Sequence, residues 1–202
     1  MVKRLFDFTF AVLGLVVLSP AWLVATYMIK KEDPGPVIYK STRVGRGGRE
    51  FKMWKFRSMV QNAEKLGGPS TSADDPRLLK SGHVLRKYKL DELPQLVNVL
   101  RGDMSIVGPR PEVKFYTDMY SAEERKLLTV RPGITDRASI RFRNEGEILK
   151  GAADPEQAYM EKIRPEKIRL GLEYVKRQSL REDLAIIVAT VKAVFENRKS
   201  VA

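Results

Sequence analysis

Residues 5–29 read LFDFTFAVLGLVVLSPAWLVATYMI, and how this run folds decides the architecture of the whole chain. It is apolar except for Asp7, Thr9, Ser19 and Thr26, with Gly14 and Pro20. At about 1.5 Å per residue a straight helix of this length would cross the roughly 30 Å hydrocarbon core of a bilayer. Yet Ser19-Pro20 falls past its middle. Proline removes a backbone hydrogen bond and bends a helix, and a neighbouring serine can satisfy a freed carbonyl. Lys3 and Arg4 precede the run and Lys30 and Lys31 follow it, so basic residues, which favour the cytoplasmic side, stand at both ends. A re-entrant helix-hairpin that enters and leaves on one face satisfies both flanks; a kinked single span is the alternative. A cleaved signal peptide is not expected, because the stretch is too long and lacks a small-residue cleavage site.

Beyond this run, residues 37–44 and 50–57 alternate around Gly45-Arg46-Gly47-Gly48, which predicts a β-hairpin with a glycine turn. The turn lacks the spacing and the following helix of a nucleotide-binding glycine loop. Lys40, Arg43, Arg46, Arg49, Lys52, Lys55 and Arg57 make the hairpin basic, either as a solvated surface or for contact with lipid headgroups or substrate phosphates. Residues 61–80 hold Gly67-Gly68-Pro69-Ser70-Thr71-Ser72 and Asp74-Asp75-Pro76, a cluster of breakers that predicts a mobile connecting loop, with a lid as the functional alternative.

Residues 90–111, LDELPQLVNVLRGDMSIVGPRP, are where chemistry is expected. Asp91 and Glu92 precede apolar residues at 93, 96, 97, 99 and 100, and Pro94 is tolerated only in a first helical turn. The two acids therefore belong at a helix N-terminus, where the dipole favours a carboxylate by about 0.3–1 kcal/mol and keeps Asp91 ionised, as a nucleophile requires. Arg110 follows with a planar fork suited to phosphate oxygens. The plainer reading is a helix cap, a first-turn glutamate and a solvated arginine. Downstream, Ser121 and Glu124 form a capping box before a helix at 126–130, and Asp154-Pro155 opens a helix that Pro165 interrupts. Leu180, Leu184, Ile187, Val188, Val191, Val194 and Phe195 fall on one face of a C-terminal helix whose other face carries Lys192 and Glu196. That stripe either packs into the core or lies on a bilayer surface.

At 202 residues the chain suits one domain, and its net charge of +12 seeks polyanions: nucleic acid, an anionic leaflet or phosphorylated substrates. With no cysteine and one histidine, His83, acid–base and metal chemistry fall to carboxylates, which suit Mg²⁺.

The motifs Lys55-Phe56-Arg57-Ser58-Met59, Asp91-Glu92-Leu93-Pro94-Gln95, Gly102-Asp103-Met104-Ser105 running into Gly108-Pro109-Arg110-Pro111, and Arg131-Pro132-Gly133-Ile134-Thr135 occur in this order behind the broken apolar N-terminus. Together they closely resemble the bacterial sugar transferase family, the monotopic phosphoglycosyl transferases. The resemblance implies transfer of a phosphosugar from a UDP-sugar to polyprenol phosphate at the cytosolic face of the bacterial inner membrane. It implies that Asp91 attacks the β-phosphate, releasing UMP and holding the phosphosugar covalently until polyprenol phosphate displaces it. Glu92 would be the acid–base or metal partner, Mg²⁺ would sit at Asp91 and Glu92, and Arg110 and Arg143 would bind phosphate oxygens. Lys55, Arg86 and Asp183 match family positions as substrate-binding candidates, with a structural role equally open for each. The implied fold is α+β and mainly helical: a re-entrant membrane helix-hairpin turning at Ser19-Pro20 over residues 1–31, and a cytosolic catalytic domain over 32–202 with a small β-hairpin and amphipathic interfacial helices. Partners would be the UDP-sugar, polyprenol phosphate and membrane lipids, with homodimerisation left open. Residues 136–144, DRASIRFRN, depart from the family's usual Gly-Leu-Ala-Gln-Val-Asn-Gly-Arg-Asn, so only Arg143 and Asn144 carry over and the sugar preference does not. The rival class is a membrane-anchored basic scaffold that binds anionic lipid without catalysis. A nucleic-acid binder is not expected, since the apolar run has no role there and no stacking platform appears.

Overall fold

The structure, a computed structural model, describes residues 1–66 and 71–196. Residues 67–70 of the expected loop, and the side chains of Phe195 and Glu196 on the C-terminal helix, lie outside the described residues. The apolar run forms two helices, α1 (Val2–Val17) and α2 (Ser19–Glu32), bent by 60° at Leu18. Pro20 enters the first turn of α2, where its missing N–H costs nothing, and Ser19 Oγ donates to Val16 O at 2.8 Å. Among the described residues no single helix is long and apolar enough to cross a membrane; only this bent pair passes by length and composition.

The β-hairpin forms as expected, one residue shorter at each outer end: β1 (Ile38–Val44) pairs antiparallel with β2 (Glu50–Phe56), Val44 opposite Glu50 and Tyr39 opposite Lys55. Helix α3 (Lys80–Lys87) leads through a 3-10 turn (Leu90–Glu92) to α4 (Gln95–Arg101). Then β3 (Ser105–Val107) is followed by α5 (Lys114–Asp118), a 3-10 segment (Glu124–Thr129) and β4 (Gly133–Thr135), which pairs in parallel with β3. Short helices α6 (Arg137–Arg141) and α7 (Glu145–Ile148) precede α8 (Pro155–Lys162), α9 (Arg164–Arg177) and α10 (Leu180–Glu196). Among the described residues the chain is mainly helical with two small sheets. The capping box at Ser121 and Glu124 closes in both directions, at 2.7 and 3.2 Å, but it opens the 3-10 segment rather than an α-helix. Asp154 caps α8, and Pro165 starts α9.

The helix pair is built into the body. Ala11 joins Met53, Leu96, Val99 and Met104 in one core cluster; Ala25 and Ile29 join Phe56 and Leu85 in another. Asp7, 2 % exposed, accepts from Ser105 Oγ and from Ile106 N at 3.0 Å. Lys3 reaches Asp183 at 2.6 Å, and Arg4 donates to the carbonyls of Val99 and Leu100, closing the C-terminal end of α4. At the other end of the pair, Glu32 accepts from Lys80 N and Ser81 N at 2.7 Å, and Asp33 pairs with Arg57 at 2.9 Å.

With these polar and small residues turned inward, the apolar ones face out. α1 exposes Leu5, Phe8, Val12, Leu13, Val16 and Val17, and α2 exposes Leu23, Val24 and Tyr27, the inverse of a soluble amphipathic helix. The same holds for α10: Asp183, Ile186 and Ala193 are buried, while Leu184, Val188, Val191 and Val194 are exposed. Core packing of that stripe is thereby ruled out for these four residues, because the Lys3–Asp183 pair and the Tyr174 hydroxyl turn the opposite face of α10 inward.

Candidate active site

Asp91 and Glu92 occupy the 3-10 turn before α4, entered through Lys89 in the left-handed region at φ 56°, an uncommon conformation for a residue with a side chain. Neither acid caps α4, whose N-cap is Pro94, so the expected dipole stabilisation of Asp91 gives way to another environment. Asp91 is 5 % exposed, and its Oδ1 is buried without a hydrogen-bond partner. Burial pushes its carboxyl above the ordinary value, Glu92 adds to this, and Lys55, Arg86 and Lys89 pull the other way.

Glu92 is held differently. Arg110 grips it in a bidentate pair, with Nη1 to Oε2 at 3.1 Å and Nη2 to Oε1, and Lys55 lies 3.5 Å away. Burial opposes ionisation, but Arg110 and Lys55 outweigh it and hold the carboxyl well below its usual range. Burial also lowers the Lys55 ammonium to about 8; Glu92 resists that fall and Arg110 adds to it. Arg110 itself is raised by Glu92 against its own burial.

Three pieces of scaffold fix these groups. Asn98 of α4 accepts from Trp54 N at 2.9 Å and donates to Lys52 O at 2.8 Å, so β2 delivers Lys55 beside the carboxylates. Arg86 donates to Ser58 Oγ at 3.0 Å from α3, which abuts the Ser58 backbone so closely that a Cβ at Gly82 would lie 2.0 Å from Ser58 O. Burial lowers Arg86 while Asp91 raises it. Arg110 follows Gly108, and a Cβ on Gly133 would lie 2.1 Å from Gly108 N; Gly133 N donates to Pro109 O at 3.0 Å. The Gly-Pro-Arg-Pro and Arg-Pro-Gly-Ile-Thr motifs are thus one structural unit in which two backbones touch.

Asp91, Glu92, Lys55, Arg86 and Arg110 therefore converge. Asp183 does not join them: it is fully buried, with Oδ2 on Lys3 and Oδ1 on the Tyr174 hydroxyl at 2.7 Å, so its place as a substrate-binding candidate is corrected to a tie between α1, α9 and α10. Arg143 donates to Ala193 O at 3.1 Å, against α10. Ser19 and Pro20 sit exposed at the helix break. Sequence reasoning missed Lys89, although it directly precedes Leu90 and the acids, and missed Gln95, fully buried with neither amide atom partnered.

Among the described residues no three Asp, Glu or His side chains come together as a metal site. The unpartnered Asp91 Oδ1 suits Mg²⁺ in its usual manner, with one or two carboxylates and the remaining ligands from substrate phosphates and water. Glu92 is not open to a metal while Arg110 holds both its oxygens.

Comparison with known proteins gives the chain relatives and a family. The UDP-N-acetylgalactosamine-undecaprenyl-phosphate N-acetylgalactosaminephosphotransferase of Aeromonas hydrophila is 38% identical over 197 residues, covering 96% of this chain and 44% of the relative. The UDP-glucose:undecaprenyl-phosphate glucose-1-phosphate transferase of Escherichia coli K12 is 38% identical over 207 residues, 98% of this chain and 41% of the relative. The exopolysaccharide production protein ExoY of Sinorhizobium fredii is 35% identical over 213 residues, 98% of this chain and 87% of the relative. The chain spans less than half the length of the first two and most of the third. The profile of the bacterial sugar transferases matches residues 1–197, from the bent helix pair to the end of α10, and the chain belongs to that family.

Proposed function

We propose that the chain is a phosphoglycosyl transferase that moves a phosphosugar from a UDP-sugar to polyprenol phosphate. The observation that carries this is Asp91: a buried carboxylate with an unpartnered oxygen, flanked by Lys55, Arg86 and Lys89. A carboxylate poorly solvated by water and not tied by hydrogen bonds keeps its nucleophilicity, while the cations offset the charge of an incoming diphosphate.

In the first step a carboxylate oxygen of Asp91 forms a bond to the β-phosphorus, the bond from that phosphorus to the bridging oxygen breaks, and UMP leaves with the electron pair. In the second, an oxygen of polyprenol phosphate attacks the same phosphorus, freeing the carboxylate and giving polyprenol diphosphosugar. No net proton transfer is needed. Glu92, held ionised, serves by fixing Arg110 and Lys55 toward the phosphates rather than by storing a proton. Mg²⁺ held by Asp91 and the diphosphate would neutralise phosphate charge there.

The membrane explains the outward apolar faces. Both ends of the bent pair are tied to one body, Lys3 to Asp183 and Asp33 to Arg57, which supports a re-entrant hairpin over a crossing helix. Residues 1–31 would enter the cytosolic leaflet of the bacterial inner membrane and residues 32–202 would rest on its surface, with α10 against the lipid. The test is UMP release from a panel of UDP-sugars by the purified protein with Mg²⁺ and a short-chain polyprenol phosphate. Release with one or more donors is the expected result; none with any donor would leave the scaffold reading.

A further inference from the structure

Arg43 is the cation of this neighbourhood that the scheme above does not use. The hairpin register puts Tyr39, Ser41 and Arg43 on the face shared by Lys55, Met53 and Phe51 of β2. On that face Met53 packs against α4 and Lys55 reaches Glu92. One residue further, Val44 N donates to Glu112 O at 2.9 Å, fastening β1 to the loop that carries Arg110.

Its partners, or the want of them, set Arg43 apart. Nε is buried without a hydrogen bond, and among the described residues the guanidinium makes no hydrogen bond or close ion pair. Glu112, the carboxylate nearby, accepts from the Tyr159 hydroxyl at 3.0 Å. Arg110 and Lys55 share Glu92, and Arg86 has Ser58. Burial accordingly weighs on Arg43 and lowers its pKa, with Glu112 only partly offsetting it. An Nε–H buried without a partner is costly, and an anion arriving at the fork removes that cost.

We propose that Arg43 binds a substrate phosphate, forming an anion subsite with Arg110. Its planar fork matches paired phosphate oxygens in a way an ammonium does not. The inference rests on the transferase reading of the cleft. The ligand chemistry, a phosphate with free oxygens, is common to the UDP-sugar donor and the polyprenol phosphate acceptor.

The test is binding by the full chain in detergent micelles, measured calorimetrically with UDP and with a short-chain polyprenyl phosphate, for wild type, Arg43→Met and Arg43→Lys. Arg43→Met should weaken one probe about tenfold or more, without lowering the melting temperature of the unliganded protein, since among the described residues the guanidinium makes no hydrogen bond or ion pair to lose. Loss confined to UDP assigns the subsite to the donor; loss confined to the polyprenyl phosphate assigns it to the acceptor. If Arg43→Met does not fold, Arg43→Lys decides, and it should weaken the same probe severalfold because the fork is lost. Both affinities within twofold of wild type in a folded variant would overturn the proposal and leave Arg43 as a counter-ion to Glu112. Turnover is read separately. A wild type that binds UDP but releases no UMP sinks the transferase reading, while the binding arms still decide Arg43.

Discussion

Raising the pH from 7 to 9 should weaken binding of a UDP-sugar about tenfold, and Lys55 is the reason. Its ammonium lies 3.5 Å from Glu92 with the side chain 21% exposed, and burial brings its pKa from 10.5 to about 8. That shift corresponds to roughly 3 kcal/mol against the charged form in the empty site. On this basis about nine-tenths of Lys55 is protonated at pH 7 and about one-tenth at pH 9. An incoming phosphate restores the charged form, so binding takes up about half a proton near pH 8 and loses about 1.4 kcal/mol between pH 7 and 9. Calorimetry with UDP at pH 7, 8 and 9, in two buffers of different ionisation enthalpy, reads both quantities. In Lys55→Arg the dependence should flatten, because a guanidinium stays charged throughout. Equal wild-type affinity at pH 7 and 9, or an unchanged slope in Lys55→Arg, would refute the reasoning. Stability carries the same signature with its own sign. The unfolded chain binds the Lys55 proton more tightly, so this residue is a penalty below pH 8 that is relieved as pH rises toward 10.5.

Three other predictions concern the scaffold. Asp7→Ala removes the acceptor for Ser105 Oγ and Ile106 N, and at about 1.5–3 kcal/mol per charged hydrogen bond it should cost about 3–5 kcal/mol in urea unfolding in detergent; a loss under about 1 kcal/mol would mean the helix pair is not anchored there. Gly133→Ala drives a Cβ into the Gly108 backbone and should displace Arg110, lowering the melting temperature and cutting UMP release more than tenfold; wild-type activity in that variant would show that the two backbones can part. Single cysteines introduced as Val2→Cys or Pro34→Cys should both react with an impermeant thiol reagent from the cytosolic side, and reaction from opposite sides would exclude the hairpin.

The elements governed by local rules were legible. Period-two alternation around a glycine turn gave the hairpin almost to the residue, and Pro20 marked the break between α1 and α2. What sequence could not supply was partners distant along the chain. Lys3 read as a topological flank, but it meets Asp183 from 180 positions away. Asp7 read as an interruption in an apolar run, but it is the buried anchor to Ser105. The period of the C-terminal stripe was visible; which side of it faced inward was decided by Asp183 and Tyr174, and so the four exposed residues lie outward. At the site the residue types were readable and the division of roles was not. Arg110 suggested a phosphate ligand, but in the empty site its first partner is Glu92, 18 positions earlier. Asp91 suggested a helix cap, but the turn begun at Lys89 and the cations around it leave its Oδ1 buried and unpaired.

Asp91 is the proposed nucleophile, and intact mass tests that most directly. Incubation of the protein with UDP-sugars and Mg²⁺, without acceptor, should add the mass of one phosphosugar and release UMP, and subsequent polyprenol phosphate should remove the adduct. Asp91→Asn should gain nothing. The same adduct retained in Asp91→Asn would contradict the assignment.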